Sequence, residues 1–323
     1  GFIPLEIIEV PTGTKVFDWE IPEEWNIRNA WIKDENNNKI IDFQKLNLHV
    51  LNYSTPVDSI VPLEQLKEHI HTLPEHPDWV PYRTSYHNRR WGFCMSHRQL
   101  EQLTGKEYHV KIDAEIKKGS LTYGEYYIPG EVKDEVLFSC HICHPSLAND
   151  NLSGITIATH LAAFLSQNKP HLSYRFLFVP GTIGSITWLS RNEKKLNNIR
   201  YGLVLTLLGD TTPFHYKRSR QGDTSTDQIM EYLLKDIKNA VIRDFSPYGY
   251  DERQFCSPGI NLPVGRLSRK PHGEFPEYHT SADNMDFIAP GHLAESYLFL
   301  LKAISLMEGN RYLGWDNPRV CAP

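Results

Sequence analysis

The stretch Ser139-Cys140-His141-Ile142-Cys143-His144-Pro145-Ser146-Leu147-Ala148-Asn149-Asp150-Asn151-Leu152-Ser153-Gly154 decides how this chain is read. Before it stands the apolar run Glu135-Val136-Leu137-Phe138, which reads as a strand; after it Ile155 to Leu165 reads as a helix. Two imidazoles and a carboxylate thus fall between a strand end and a helix start, where open α/β sheets build their sites. Imidazole nitrogen and carboxylate oxygen are donors that a Zn²⁺ ion favours. Asp150 alone could be read as a helix cap. Asn149, Asn151 or Ser153 would cap equally well, so the Asp is weighed as a ligand.

Working outward, strands and helices alternate. Strand patterns cover Tyr108–Glu115, Gly124–Ile128, residues 135–140, Tyr174–Val179, Tyr201–Leu208 and Leu262–Leu267. Helical patterns cover residues 153–166, Gly184–Asn192, Thr226–Lys238 and Pro290–Met307. Such alternation predicts an α/β fold with a mostly parallel central sheet and helices on both faces. Residues 14–106 differ: they are rich in aromatics and short β-like pieces, with Asp34-Glu35-Asn36-Asn37-Asn38 as a hairpin turn. A helix is expected from Leu63 to His71. The expected division is 1–13 with 107–323 as the α/β domain, and 14–106 as a small β-rich inserted domain.

The bulk numbers exclude several classes. The chain has 323 residues, 40% hydrophobic and 23% charged, an ordinary globular composition. A net charge of −5 argues against a general nucleic-acid binder. No apolar run is long enough for a transmembrane helix, and Gly1-Phe2-Ile3-Pro4-Leu5-Glu6 does not read as a signal peptide. Five cysteines without regular spacing make a poor disulfide framework, so a reducing cytoplasm is expected. Cys140-His141-Ile142-Cys143 is discounted as a redox pair because Cys140 reads as strand.

A second cluster, Glu277-Tyr278-His279-Thr280-Ser281-Ala282-Asp283-Asn284, precedes the last helix. His279 would supply a donor from a distant part of the chain. Three protein ligands leave a position open for water, which can then attack a carbonyl.

The strand ending at His141, Asp150 within Asn-Asp-Asn-x-Ser-Gly, and the late Tyr278-His279-Thr280 resemble the M28-type zinc aminopeptidases. Tyr250-Asp251-Glu252-Arg253-Gln254-Phe255, followed by Pro258-Gly259-Ile260, is similar to the stretch that precedes the last zinc histidine there. The likeness is strongest to a bacterial aminopeptidase-like branch of unknown function. That branch also carries a run like Lys217-Arg218-Ser219-Arg220-Gln221-Gly222 and a small β-rich insertion, a lid or dimer surface by analogy.

The resemblance implies a zinc exopeptidase fold with metal on His141, Asp150 and His279. It also shows departures. The family's paired glutamates fall at Pro180-Gly181-Thr182, where no carboxylate stands. Its later Asp ligand falls near Thr206, with Asp210 just beyond, and the Asp of its His-x-Asp pair is Cys143. Two closely spaced zinc ions need several anionic ligands. One zinc is therefore expected, held by His141 or His144 with Asp150 and His279. Glu252 is the candidate base, with Asp210 as a substitute; Arg253, Tyr278 and Arg218 are the candidate substrate contacts. The expected function is a zinc-dependent hydrolase of aminopeptidase type, with metal-activated water attacking an amide carbonyl. The alternative is a zinc-binding relative that holds a ligand or partner without turnover. The expected partner is a peptide or amide-containing small molecule, without nucleic acid or membrane; a homo-oligomer is compatible with this reading.

Overall fold

The fold was analysed in a computed structural model, which describes residues 2–86 and 88–310. Its centre is an eight-stranded sheet. From one edge to the other the strands are Glu6–Pro11, Ser120–Ile128, Ser173–Val179, Glu135–His141, Ile199–Leu205, Val264–Ser268, His215–Lys217 and Val241–Arg243.

This sheet is mixed, which corrects the expectation of a mostly parallel one. Parallel pairs join Glu135–His141 to both neighbours, Ile199–Leu205 to Val264–Ser268, and His215–Lys217 to Val241–Arg243. The first two strands from one edge, and the pair of Val264–Ser268 with His215–Lys217, run antiparallel. The reason lies in the connections. Successive strands joined without a crossover helix run opposite ways: no helix separates Ser120–Ile128 from Glu135–His141 or Ile199–Leu205 from His215–Lys217, so each pair is opposed in direction although its members are not adjacent in the sheet.

The central strands are buried on both faces. Val136, Phe138 and Cys140 pack with Ile157, Leu161 and Leu300 on one side. Leu137, Leu177 and Val204 pack with Trp188, Leu189 and Phe255 on the other. A period of two in the strands thus feeds two cores. Arg175 is buried in this sheet, where it donates to Glu135 at 2.8 Å and to Glu125.

A second, antiparallel sheet has the order Lys39–Asp42, Glu24–Lys33, Glu107–Lys117, Val57–Pro62. Its core includes Ala30, Ile32, Ile41, Val110 and Ile112. The Asp34–Asn38 turn joins its first hairpin: the Asp34 carboxylate accepts from Asn36 N at 2.9 Å and Asn38 N at 2.8 Å. The alternation read at Tyr108–Glu115 belongs to this sheet. The helix expected over Leu63–His71 ends at Lys67, and Ile70–His71 pairs with Phe93–Cys94. The two parts meet at Pro81 and Thr280, and Tyr82 N donates to His279 O at 2.7 Å. That seam carries the late histidine to the sheet edge.

Candidate metal and active site

Glu135–His141 ends with the side chain of His141 buried at the carboxyl edge of the sheet. Residues 148–153 then form a tight turn into the helix Gly154–Ser166. Asp150 sits in that turn, its peptide to Asn151 is cis, and its side chain is buried. His141 Nε2 donates to Asp150 Oδ1 at 2.7 Å. His279 Nε2 lies 3.1 Å and His144 Nδ1 3.4 Å from Asp150 Oδ2. One carboxylate is therefore ringed by three imidazoles, from a strand end, a loop and a distant turn. His279 takes a left-handed backbone at φ 57°, which a histidine adopts at a cost.

The turn is clamped by residues that sequence inspection passes over. Asp283 accepts from Asn149 N at 2.6 Å and Asp150 N at 2.9 Å. Asn149 Nδ2 in turn donates to Asp210 Oδ2 at 2.9 Å. Asn151 Nδ2 donates to Leu205 O at 3.1 Å. Because Asp283 lies within the same late cluster as His279, one loop supplies both a candidate ligand and the clamp for another. The only signal in the sequence was a carboxylate four residues after His279.

Burial disfavours charge on all four central groups, and their mutual attraction decides the outcome. Burial would raise the Asp150 carboxyl, but His144 and His141 outweigh it and hold it well below its ordinary value. Burial lowers His141 and His279 despite Asp150. For His144 burial acts downward too, but Asp150 prevails and raises it to about 10. In the metal-free protein the balancing cation is thus His144.

The donors suit a zinc ion. Two imidazoles and one carboxylate are a familiar open-site set, with a further imidazole beside them. The test lies in polar atoms without partners. His141 Nδ1, Asp150 Oδ2 and His279 Nε2 are all buried and make no hydrogen bond, although buried polar groups ordinarily find one. His141, His144 and Asp150 offer ligand atoms within 4.8 Å of one another.

Around this centre lies a cleft of about 790 Å³, with Trp25, Tyr53, Tyr82 and Tyr248 in its wall and His144 and His279 at its floor. Tyr82 meets the His144 and His279 rings edge-on at 5.1 and 5.0 Å. Tyr278 stacks on His279 at 3.8 Å and also lines the cleft. Tyr250 lies 4.0 Å from the His141 ring, and its hydroxyl is 2.9 Å from Cys143 Sγ. The space beside Gly181, where the resemblance leads one to expect a carboxylate, is occupied from across the fold: a Cβ on Gly181 would stand 2.0 Å from Tyr250 Oη. His272 also lines the cleft. Arg266 Nη1 approaches its Nδ1 at 3.4 Å, and a guanidinium can only donate. The Nδ1 lone pair thus faces Arg266, leaving the Nε2 position for a proton. Burial, then Arg266, lowers His272 to about 4, so it is neutral.

The other residues singled out from the sequence lie as follows. Arg253 lines the cleft. Glu252 is buried below the Tyr248–Tyr250 turn. It accepts from Lys217 Nζ at 3.0 Å, Arg266 Nη1 at 3.3 Å and Tyr250 N at 3.0 Å. These cations outweigh burial and hold it below its ordinary value. Asp210 is buried and takes up Asn149 Nδ2 and Thr212 N, the latter at 2.8 Å. Arg218 pairs with Glu231 at 2.6 Å and with Asp244. None of Glu252, Asp210 and Arg218 is among the residues lining the cleft.

Together, sheet and helices define an aminopeptidase-like fold of the M28 type. A zinc aminopeptidase from Bacillus subtilis superposes with a TM-score of 0.63 at 14% identity, over 94% of this chain and 84% of that one. The M28 peptidase precursor from Shewanella amazonensis gives 0.62 at 12% identity, with the same coverage. At such identities the likeness speaks for the fold. Within that class, residues 1–310 match the family described as Domain of unknown function (DUF4910), and the chain belongs to it. A Clostridium acetobutylicum protein, whose name pairs polysaccharide biosynthesis with an aminopeptidase-like domain, is 50% identical over 322 residues. The match takes in 99% of this chain and 74% of that protein. A crystal structure from the same organism superposes with a TM-score of 0.94 at 50% identity, over 96% of this chain and 74% of that one. Among the described residues no helix is long and apolar enough to cross a membrane.

Proposed function

We propose that this protein is a zinc-dependent hydrolase of amide bonds, with one ion held by His141, Asp150 and His279. The observation that carries this reading is the convergence of Asp150 Oδ2 and His279 Nε2, two buried atoms 3.1 Å apart that make no hydrogen bond. Zinc there would supply Lewis-acid polarisation of the amide carbonyl. The name of the Clostridium acetobutylicum relative and the M28-type fold support a peptidase-like activity.

The remaining chemistry falls to the chain's own residues. His144 lines the cleft, whereas His141 lies beneath it. His144 is therefore assigned to carry the proton between water and the leaving amine, a role worth roughly 10²–10⁴ in rate. His272, which lines the cleft, is assigned to donate from Nε2 to the oxygen on which negative charge develops. Glu252 is a positioning residue: it ties Lys217, Arg266 and Tyr250 N, and so sets the turn that presses Tyr250 onto His141. Asp210 acts likewise through Asn149. Tyr82 and the Tyr278 ring hold His279 between them.

Elemental analysis of the purified chain, followed by release of amines from an amide panel before and after chelation, tests the reading. One zinc per chain with chelator-sensitive turnover is the expected result. Full zinc occupancy without turnover of any amide would refute hydrolysis, and failure to take up zinc would refute the metal assignment.

A further inference from the structure

An aminopeptidase substrate presents its α-ammonium group one carbon away from the carbonyl under attack. That cation must be received beside the reacting centre. A buried ammonium without an anionic or multiple-acceptor partner is strongly disfavoured. The cleft wall supplies none: no Asp or Glu stands among the described residues that line it. The carboxylate beneath the floor, Asp150, is buried and already ringed by His141, His144 and His279. The space beside Gly181 holds the Tyr250 hydroxyl and no carboxylate.

The wall also carries a cation. Arg253 lines the cleft and, with Trp19 and Thr182, also lines an adjoining groove of about 1170 Å³. Its Nε is buried and makes no hydrogen bond, and among the described residues its side chain forms no ion pair. Arginine is the side chain best shaped to take a carboxylate in a fork. Carboxylates do occur in the neighbouring groove, at Asp18 and Glu193. They belong to that groove's lining and not to the cleft's, whereas an α-ammonium is tethered next to the scissile carbonyl.

Resting on the amide-hydrolase reading, we infer that the substrate carries no free amine on its acyl side. It is an amide with an uncharged, N-blocked or amine-free acyl group, and an anionic group on the leaving side that reaches Arg253. The aromatic wall of Trp25, Tyr53, Tyr82 and Tyr248 accepts the apolar faces of that acyl portion. Such rings bury large area and leave polar edges for hydrogen bonds.

The test uses the full zinc-loaded chain and two matched peptides, Phe-Gly with a free amino terminus and its N-acetyl form. Binding is read by titration calorimetry and cleavage by mass spectrometry. The acetylated peptide is expected to bind at least tenfold more tightly and to be the one cleaved. Arg253→Met is expected to abolish the preference for N-acetyl-Phe-Gly over its C-terminal carboxamide. Tighter binding or faster cleavage of the free-amine peptide would overturn the inference, as would failure of both to bind. Tight binding of the acetylated peptide without cleavage would sustain the inference and refute the hydrolase reading beneath it.

Discussion

Asp251→Asn isolates one buried charge. Asp251 is fully buried, and its Oδ1 accepts from Thr182 N at 2.7 Å and Ser185 Oγ at 3.0 Å. Its Oδ2 is buried without a hydrogen bond. Burial therefore dominates and raises the carboxyl from 3.8 to about 7, with these two hydrogen bonds acting against it. An acid whose pKa is higher in the folded state keeps its proton there while the unfolded chain has lost it. Folding is thus penalised progressively as pH climbs from near 4 to near 7, and the penalty is constant above that window. At 1.36 kcal/mol per unit, the full penalty is about 4 kcal/mol. Asparagine keeps the Oδ1 acceptor and cannot ionise. Urea unfolding of both proteins at pH 4, 5, 6, 7 and 8 should give nearly equal stabilities at pH 4. The variant should gain about 1.4 kcal/mol for each pH unit up to 7 and hold that lead at pH 8. Other titrating groups cancel in the difference. A difference that does not vary with pH, or a variant less stable than the parent at pH 8, would refute the reasoning.

Further expectations concern the site and the sheet. His144→Ala should retain zinc by elemental analysis while kcat falls roughly 10²–10⁴-fold, whereas His279→Ala should lose the metal; zinc loss in the first variant would make His144 a ligand. Gly181→Ala forces its Cβ against the Tyr250 hydroxyl and should cost about 1–3 kcal/mol in chemical denaturation. Adding Tyr250→Ala should reduce that cost in a double-mutant cycle, and strict additivity would show that the clash is relieved elsewhere. Arg175→Met leaves Glu125 and Glu135 buried without their cation, and should lower stability by about 3–5 kcal/mol at pH 7. Urea unfolding of parent and variant reads the loss, and equal stability of the two would refute it.

Parts of this fold were open to inspection because they are local. The apolar run ending at His141 and the helix from Gly154 follow from apolar patterning over a few residues. The nine-residue spacing that joins His141 to Asp150 spans a single strand-to-helix turn. The shortest strands were harder. His215–Lys217 and Val241–Arg243 are three residues each, too short to show alternation, yet they complete one side of the sheet and add an antiparallel pair to it. The Tyr201–Leu208 pattern overran its strand, which ends at Leu205. At Leu207 the backbone turns to φ 54°, and apolar character alone does not mark that exit.

The order of residues along the chain settled the chemistry available: imidazoles and a carboxylate at a strand end, a late histidine, and no carboxylate at Pro180-Gly181-Thr182. Only the tertiary structure decided what each group faces. It put Tyr250 into the space beside Gly181, gave Asp283 to the backbone of the Asp150 turn, and set Glu252 between Lys217 and Arg266. These partners lie from 14 to 134 residues apart along the chain. The physical reason is that a carboxylate's role is set by the charges and donors around it in space. Periodicity reports which face of an element is buried, but not which distant residue meets it there.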